Sequence, residues 1–176
     1  MYTIVCSTNR TNSVSAKIAS IYQQLLQEQG VASEIIDLKE LPADFIYSAL
    51  YEHSGANASF NPFRERMLQS SKFIFIIPEY NGSFPGVLKA FIDGLDFPKT
   101  FTNKKAALVG LSAGIQGAGI AMSHMTDILN YCGTHVVALK PKLAQIGQHL
   151  DEESDTITNK LYNDLLQEQV KMLINF

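Results

Sequence analysis

The chain has 176 residues, a formal net charge of −3 and a hydrophobic fraction of 46%, which fits one domain with a full buried core. It shows no basic stripe for a nucleic acid, no apolar run near the ~20 residues of a membrane span, and no secretory leader. Its two cysteines, Cys6 and Cys132, are too few for a disulfide framework or a structural zinc site. We therefore expect one cytoplasmic domain over residues 1–176, with both cysteines as core thiols.

Strand-like and helix-like patterns alternate along the chain. In chain order, the sequence predicts a strand at residues 2–7, a helix at 13–29, a strand at 31–38, a helix at 62–70, a strand at 73–77, a helix at 87–95, a strand at 106–111, a helix at 117–132, a strand at 136–139 and a helix at 155–174. This alternation is typical of a parallel sheet with helices on both faces.

The first helix and the central strand carry clear local signals. Ile18, Tyr22 and Leu25 share one helix face, and Gly30 is placed to end that helix in the left-handed conformation. The run 73–77 is apolar throughout, as expected of a central parallel strand that is buried on both faces.

The segment 41–61 and the acidic run near residue 151 are less regular. Residues 41–61 mix proline, glycine and aromatic residues, so we expect an irregular segment with one short helical turn. Its aromatic side chains would either pack over a ligand or a partner or anchor the segment to the core. The run Asp151-Glu152-Glu153, with Asp155, is expected to cap the last helix, because acids favour a helix N-terminus.

Hydroxyl and amide side chains crowd the first loop, Ser7-Thr8-Asn9-Arg10-Thr11-Asn12-Ser13-Val14-Ser15. The free N–H groups of a helix N-terminus bind phosphate well, and Arg10 adds positive charge. The loop lacks both G-x-x-x-x-G-K-[ST] and G-x-G-x-x-G, which excludes a P-loop and a dinucleotide-binding fingerprint. It predicts either a phosphate site or a turn capped by Ser13.

The second loop, residues 78–86, reads Pro-Glu-Tyr-Asn-Gly-Ser-Phe-Pro-Gly and joins the central strand to a helix. Gly82 supplies backbone freedom and Pro85 can open the helix, so a plain connecting turn would also fit these residue types. In a sheet of order 2-1-3-4-5, however, ligands bind at the switch point between the first and third strands. The first and second loops follow those two strands.

The third loop, residues 110–119, contains Gly-Leu-Ser-Ala-Gly after the fourth strand. This matches the G-x-S-x-G nucleophile elbow, which predicts a serine hydrolase acting through Ser112. Its triad would need Asp127 with His135 or His149. The four histidines are scattered, with no H-x-x-x-H pair, so the sequence gives no support to a metal site.

Taken together, the three loops resemble those of the NADPH-dependent FMN reductase family. The resemblance is most specific in residues 78–86, which Leu88-Lys89 and Ile92-Asp93 follow. The first loop is similar to the phosphate loop of the family, with Ser7 where the family usually has glycine. The third loop is similar to the loop that lies at the flavin edge. The resemblance covers nearly the whole chain.

The resemblance implies an α/β, flavodoxin-like three-layer sandwich with a five-stranded parallel sheet of order 2-1-3-4-5 and helices on both faces. It implies bound FMN, reduced by NADPH or NADH, and no catalytic side chain, because the flavin carries the chemistry. The cofactor-binding residues that it implies are Thr8, Asn9, Arg10, Ser13, Ser15, Pro78, Glu79, Tyr80, Asn81, Gly82, Ser83, Ser112 and Gly114. In the second loop, backbone N–H groups would make most of these contacts.

The function that the resemblance implies is hydride transfer from NADPH or NADH, through FMN, to a flavin, a quinone or another small acceptor. Family members typically form a homodimer, or a homotetramer, and we expect the contact at residues 47–60 and at the helix after Gly86. Two alternatives remain open at this point: an electron-transfer flavoprotein without NAD(P)H turnover, and the serine hydrolase acting through Ser112.

Overall fold

The computed structural model describes residues 1–151 and 154–176 and contains a parallel sheet between two layers of helices. The strands of this sheet are β1 (Tyr2–Cys6), β2 (Ser33–Asp37), β3 (Lys72–Pro78), β4 (Lys105–Leu111), β5 (His135–Val136) and β6 (Lys142–Leu143). Their order is β2-β1-β3-β4-β5, and β6 also pairs with β4. The predicted flavodoxin-like order is therefore confirmed.

Six α-helices and a small strand pair complete the described fold. The helices are α1 (Val14–Glu28), α2 (Phe45–Ser48), α3 (Asn61–Gln69), α4 (Gly86–Asp93), α5 (Gly119–Tyr131) and α6 (Lys160–Asn175). The strand pair is β7 (Leu150–Asp151) and β8 (Thr156–Ile157), which run antiparallel. No helix in the described residues is both long and apolar enough to cross a membrane.

The sheet buries a separate apolar cluster on each face, because successive strand residues point to opposite sides. On one face, Ile4, Ile74 and Val109 pack with residues of α1 and α6. On the other face, Val5 and Phe75 pack with residues of α3, α4 and α5. Both faces are covered, as is usual for a parallel sheet, and the loops at its carboxyl edge stay accessible to ligands.

The sequence signals at the two ends of α1 are confirmed. The Ser13 side chain accepts a hydrogen bond of 3.2 Å from the Ala16 N–H, which makes Ser13 the N-cap. Gly30 follows the helix with φ of +72°, the left-handed value that a glycine adopts most easily. These contacts direct the N-terminus of α1 towards the carboxyl end of β1.

The segment 41–61 is largely irregular, as predicted, with α2 and a 3-10 turn at Tyr51–His53 as its regular parts. Phe45 and Phe60 are buried, and their rings stack with centroids 5.4 Å apart. These two aromatic residues therefore anchor the segment to the core. Tyr47 and Tyr51, in contrast, are exposed.

The prediction of one continuous fifth strand at 136–139 was wrong. The ladder with β4 breaks between β5 and β6, where Pro141 has no N–H to donate. In this gap the Gln169 side chain of α6 donates hydrogen bonds to the carbonyls of Leu108, at 2.9 Å, and Leu139, at 2.7 Å. A side chain thus satisfies carbonyls that a regular strand would have paired with backbone N–H groups.

The predicted start of the last helix at residue 155 was also wrong. Helix α6 begins at Lys160, and the Asn159 side chain caps it by accepting from the Tyr162 N–H. Asp155 has φ of +50° in the turn before β8 and forms an ion pair of 2.6 Å with Lys17. Asp151 belongs to β7, so neither Asp151 nor Asp155 caps α6. Glu152 and Glu153, which were also predicted to cap this helix, lie outside the described residues.

Candidate functional site

Loops from the carboxyl ends of β1, β3, β4 and β6 converge on one cavity of about 260 Å³. The cavity lies at the switch point of the sheet, where the chain order reverses beside β1. Its lining residues are Thr8, Arg10, Asn12, Ser13, Val14, Ser15, Pro78, Glu79, Tyr80, Leu111, Ser112, Ala113, Ile146 and Gly147. The three loops singled out in the sequence thus meet at one place.

Eight of the thirteen predicted site residues line this cavity. They are Thr8, Arg10, Ser13, Ser15, Pro78, Glu79, Tyr80 and Ser112. Asn9 lines a neighbouring groove of about 430 Å³, which shares Tyr80 with the cavity. Asn81, Gly82, Ser83 and Gly114 do not contribute to the cavity lining and lie further along the second and third loops.

Six lining residues were not among the predicted site residues, although four of them belong to the first and third loops. They are Asn12, Val14, Leu111, Ala113, Ile146 and Gly147. Ile146 and Gly147 come from a 3-10 turn after β6, which no motif marks. The topology of the sheet could have indicated these residues, because the loop that follows each parallel strand lies at this same edge. Val14, Leu111 and Ile146 give the cavity an apolar portion.

The first loop brings the N-terminus of α1 to the cavity. Ser13 caps the helix and also lines the cavity, so the two predictions made for this loop are compatible. Ser15 is buried in the first helical turn, Arg10 is exposed, and both line the cavity. The positive end of the helix dipole, two hydroxyls and a guanidinium therefore surround one space, which suits an anion.

A hydrogen bond joins the first loop to the second. The Thr8 Oγ1 and the Tyr80 hydroxyl oxygen are 2.6 Å apart, and Thr8 is fully buried. The Ser7 side chain lies outside the cavity lining and donates to the Val5 carbonyl at 3.2 Å. The serine at this position is therefore accommodated by a hydrogen bond to the end of the preceding strand, β1.

The second loop forms a tight turn with Asn81 and Gly82 at its tip. Both tip residues have positive φ, +52° and +77°, as a two-residue Asn-Gly hairpin turn requires. The Tyr80 N–H donates to the Ser83 carbonyl at 2.8 Å, and the Ser83 N–H donates to the Tyr80 carbonyl at 3.0 Å.

Three backbone N–H groups of the second loop are bonded within the protein and are not free for the contacts that the family resemblance implies. The N–H groups of Tyr80 and Ser83 close the turn, and that of Glu79 donates to the Leu111 carbonyl at 3.0 Å. Pro78 has no N–H group. The N–H groups of Asn81 and Gly82 take no part in these bonds and remain as the donors at the tip.

The serine hydrolase alternative is wrong. The Ser112 hydroxyl donates to the Gly114 carbonyl at 2.7 Å and accepts from the Gly117 N–H at 2.9 Å. Ser112 therefore closes the third loop on itself. A nucleophilic serine needs a histidine within hydrogen-bond reach, and none of the described residues supplies one: His135 packs on Phe176 and His149 on Tyr162.

The two cysteines are core thiols, as predicted. Both are buried and free. Burial, with a smaller contribution from the nearby Asp37 carboxylate, raises the pKa of the Cys6 thiol to about 12. Burial also raises the pKa of the Cys132 thiol. Both thiols stay protonated at neutral pH, which argues against nucleophilic or redox roles. The described residues also hold no group of three or more side chains suited to a metal ion.

The sequence profile of the NADPH-dependent FMN reductase family matches residues 2–144, which contain the loops after β1, β3 and β4 but not the turn after β6. The chain belongs to this family. It is an FMN- and NAD(P)H-dependent oxidoreductase, and the enzyme class inferred from the three loops is confirmed.

Curated relatives carry matching activities in their names. An NAD(P)H-dependent FMN reductase of Pseudomonas aeruginosa is 27% identical over 146 residues, covering 82% of this chain and 77% of the relative. A 2-hydroxy-1,4-benzoquinone reductase of a Burkholderia species is 27% identical over 131 residues, covering 73% of this chain and 69% of the relative.

A solved structure shows the same fold over nearly the whole chain. The flavoenzyme NAD(P)H:(acceptor) oxidoreductase of Paracoccus denitrificans superposes with a TM-score of 0.76 at 23% identity. The match covers 99% of this chain and 94% of that chain. The architecture derived from the alternating strands and helices is therefore that of a known flavoenzyme.

Proposed function

We propose that the cavity at the carboxyl edge of the sheet binds FMN and serves hydride transfer from NADPH or NADH to a flavin, a quinone or another small acceptor. One observation carries this proposal: the polar N-terminus of α1 and the apolar residues Leu111 and Ile146 line the same cavity at the switch point. A phosphate needs the polar part, and an aromatic ring system needs the apolar part.

The first loop is proposed to hold the phosphate. Arg10 supplies charge at the rim, Ser13 and Ser15 supply hydroxyls, and the first turn of α1 supplies N–H groups. Thr8 is tied to Tyr80 and would keep the first loop beside the second. The donor set therefore fits a phosphate monoester without a metal ion.

The second and third loops are proposed to hold the rest of the cofactor. Bound FMN would supply the ring that takes up and gives out a hydride. The tip N–H groups of Asn81 and Gly82 would donate to its polar edge, and Ser112 would keep the third loop in shape. Glu79 and Gly114 complete the proposed contacts, and none of these residues has to act as an acid or base.

A quinone or a free flavin is the proposed acceptor class. The names of the relatives support it, since they include an FMN reductase and a benzoquinone reductase. The cavity of about 260 Å³ is smaller than the roughly 300–1,000 Å³ of sites that enclose a whole ligand. A bound FMN would therefore extend beyond it, where a planar acceptor could reach the ring.

Steady-state kinetics tests this proposal against the electron-carrier alternative. The FMN-loaded protein should oxidise NADPH or NADH, and the rate should depend on added benzoquinone or free FMN. The Arg10→Ala variant should need more FMN for the same rate, because it loses charge next to the proposed phosphate. A protein that retains FMN and turns over neither nucleotide would be an electron carrier, which contradicts the proposal.

A homodimer is proposed as the working assembly, and a homotetramer would be a pair of such dimers. A groove of about 620 Å³ on one side of the molecule is lined by Tyr51, by residues of α4 and α5, and by Leu95, Phe97 and Phe101. Three aromatic side chains that line this groove are largely exposed: Tyr51 at 73%, Phe97 at 65% and Tyr131 at 84%. Tyr47, in the same segment as Tyr51, is exposed at 82%. Such a concentration of exposed apolar area is typical of a protein interface.

Light scattering during size exclusion tests the proposed dimer. The wild-type protein should have twice the mass of one chain, and Tyr131→Glu should lower that mass by placing a charge in the interface. Leu161→Glu is the matched control, because Leu161 is also exposed, at 61%, but belongs to α6 on the other side of the sheet. A wild-type monomer would contradict the proposal.

We further propose that residues 1–176 act as one FMN-binding domain in the cytoplasm. The support is that both apolar clusters share the same sheet. Free, buried cysteines also suit a reducing compartment, where disulfides are rare. Limited proteolysis tests the first part, since one domain should lose only its ends and resist cleavage within the sheet.

A further inference from the structure

A side chain outside the predicted site contacts the second loop. The Ser83 Oγ and the Nδ1 atom of His124 are 3.0 Å apart. Ser83 closes the turn that carries Asn81 and Gly82, and His124 lies in the second turn of α5. Because α5 continues directly from the third loop, this hydrogen bond joins two of the loops around the cavity.

The tip of the turn needs such a contact, because it packs against little else. Within the described residues, no heavy atom beyond the chain neighbours lies within 4 Å of where a Cβ would stand on Gly82. Asn81 is exposed. A two-residue hairpin is marginal in water without further packing. Its position therefore depends on contacts made by the residues at its base.

The two residues at the base are tied in opposite directions. Tyr80 is held through its hydroxyl by Thr8 of the first loop, at 2.6 Å. Ser83 is held through its hydroxyl by His124 of α5, at 3.0 Å. The hydrogen bond to His124 fixes the Ser83 side chain whether Oγ of Ser83 or Nδ1 of His124 is the donor. The tip N–H groups are thereby aimed from both sides.

We propose that His124 is a positioning residue for the flavin: it fixes Ser83 and so holds the N–H groups of Asn81 and Gly82 in place to donate to the ring. This inference rests on the proposed function of the cavity. His124 acts through Ser83 and does not itself line the cavity. A fixed donor pair binds its acceptor more tightly than a mobile one, because less ordering is required on binding.

Two substitutions of His124 separate the hydrogen bond from the bulk of the side chain. His124→Asn keeps a polar atom close to the position of Nδ1, whereas His124→Leu replaces the ring by an apolar group. His124→Leu should raise the dissociation constant of FMN about fivefold, the value of one net hydrogen bond. It should also shift the midpoint potential of the bound flavin. His124→Asn should stay near the wild-type protein in both measurements.

A double-mutant cycle shows whether the effect passes through Ser83. Ser83→Ala alone and His124→Leu alone should weaken FMN binding to a similar extent, and the double variant should be no weaker than either. His135→Leu is the control, since His135 lies at the amino end of β5, away from the cavity. Additive losses in the cycle would show that His124 acts by another route and would overturn the proposal.

Hydrogen exchange in the apoprotein gives a readout that needs no flavin. The N–H groups of Tyr80 and Ser83 bond across the turn, so they should exchange faster in His124→Leu and at the wild-type rate in His124→Asn. Equal exchange and equal FMN affinity in His124→Leu and wild type would overturn the proposal. A wild-type protein that binds no FMN would instead overturn the proposed function, and the positioning role with it.

Discussion

At the scale of single residues, Gln169 shows how one buried side chain supports the sheet. It is fully buried in α6, and its amide group donates to two carbonyls at the break between β5 and β6. Its oxygen accepts from the Tyr22 hydroxyl of α1 at 3.1 Å. Every polar atom of the side chain is thus paired, so its burial carries no unsatisfied group.

Replacing Gln169 by leucine should therefore destabilise the protein strongly. The substitution leaves the Leu108 and Leu139 carbonyls and the Tyr22 hydroxyl without their partner, and each buried unsatisfied group costs about 1–3 kcal/mol. We expect the free energy of unfolding in urea to fall by about 3 kcal/mol. Gln167→Leu, at an exposed position of the same helix, should change it by less than about 0.5 kcal/mol. Equal losses in both variants would contradict this account.

At the scale of elements, the site is assembled from the ends of strands and helices. The N-terminus of α1 points into the cavity because Ser13 ends the first loop there, and the turn of the second loop lies where β3 stops. Each element is stabilised locally, by a cap or by a tight turn. The geometry of the site should therefore respond to substitutions that change those local structures alone.

Two substitutions of Ser13 can separate its role as a helix cap from its proposed role in binding FMN. Ser13→Ala should lower the free energy of unfolding by about 1 kcal/mol, whereas Ser13→Gly should lower it by only a few tenths, because glycine is a tolerable N-cap. Both variants lose the hydroxyl, so both should weaken FMN binding to a similar degree. Chemical unfolding and a flavin fluorescence titration measure the two effects. If Ser13→Ala weakens FMN binding and Ser13→Gly does not, the affinity changes only with stability, and the hydroxyl only caps the helix.

Gly82 and Gly86 form a matched pair for testing the turn. An added Cβ meets open space at both, but only Gly82 has positive φ. Gly82→Ala should therefore destabilise the turn by about 1 kcal/mol and weaken FMN binding, because alanine is strained in the left-handed region. Gly86→Ala, in the first turn of α4, should leave both quantities unchanged or slightly improved. Calorimetric titration with FMN compares the pair, and an unaffected Gly82→Ala would contradict the proposed role of the turn.

The elements that could be predicted from the sequence are those with local signals. Ser13 and Gly30 marked the two ends of α1, and the apolar run before Pro78 marked β3. Pro141 is a local signal for the break in the fifth strand. The side chain that fills the gap could not be predicted, because Gln169 lies 30 residues or more along the chain from the carbonyls it binds. The contribution of Ile146 was missed for a related reason: only the fold brings it to the cavity.

At the scale of the whole molecule, the order of the sheet decides where chemistry can occur. The order β2-β1-β3-β4-β5 places the loops after β1, β3 and β4 side by side at one edge. The alternating pattern of the sequence predicted a parallel sheet, and the resemblance of the three loops to one family implied its order. The sequence motif alone could not exclude a hydrolase, and the closed hydrogen bonds of Ser112 were needed for that.

The central claim, that this fold binds FMN and reduces it with NAD(P)H, can be tested by an absorbance spectrum. The purified protein is mixed with FMN, desalted and then treated with NADPH or NADH without oxygen. We expect two flavin bands to remain after desalting and to bleach on addition of at least one of the nucleotides. A folded protein that retains no flavin, or whose retained flavin neither nucleotide bleaches, would contradict the account.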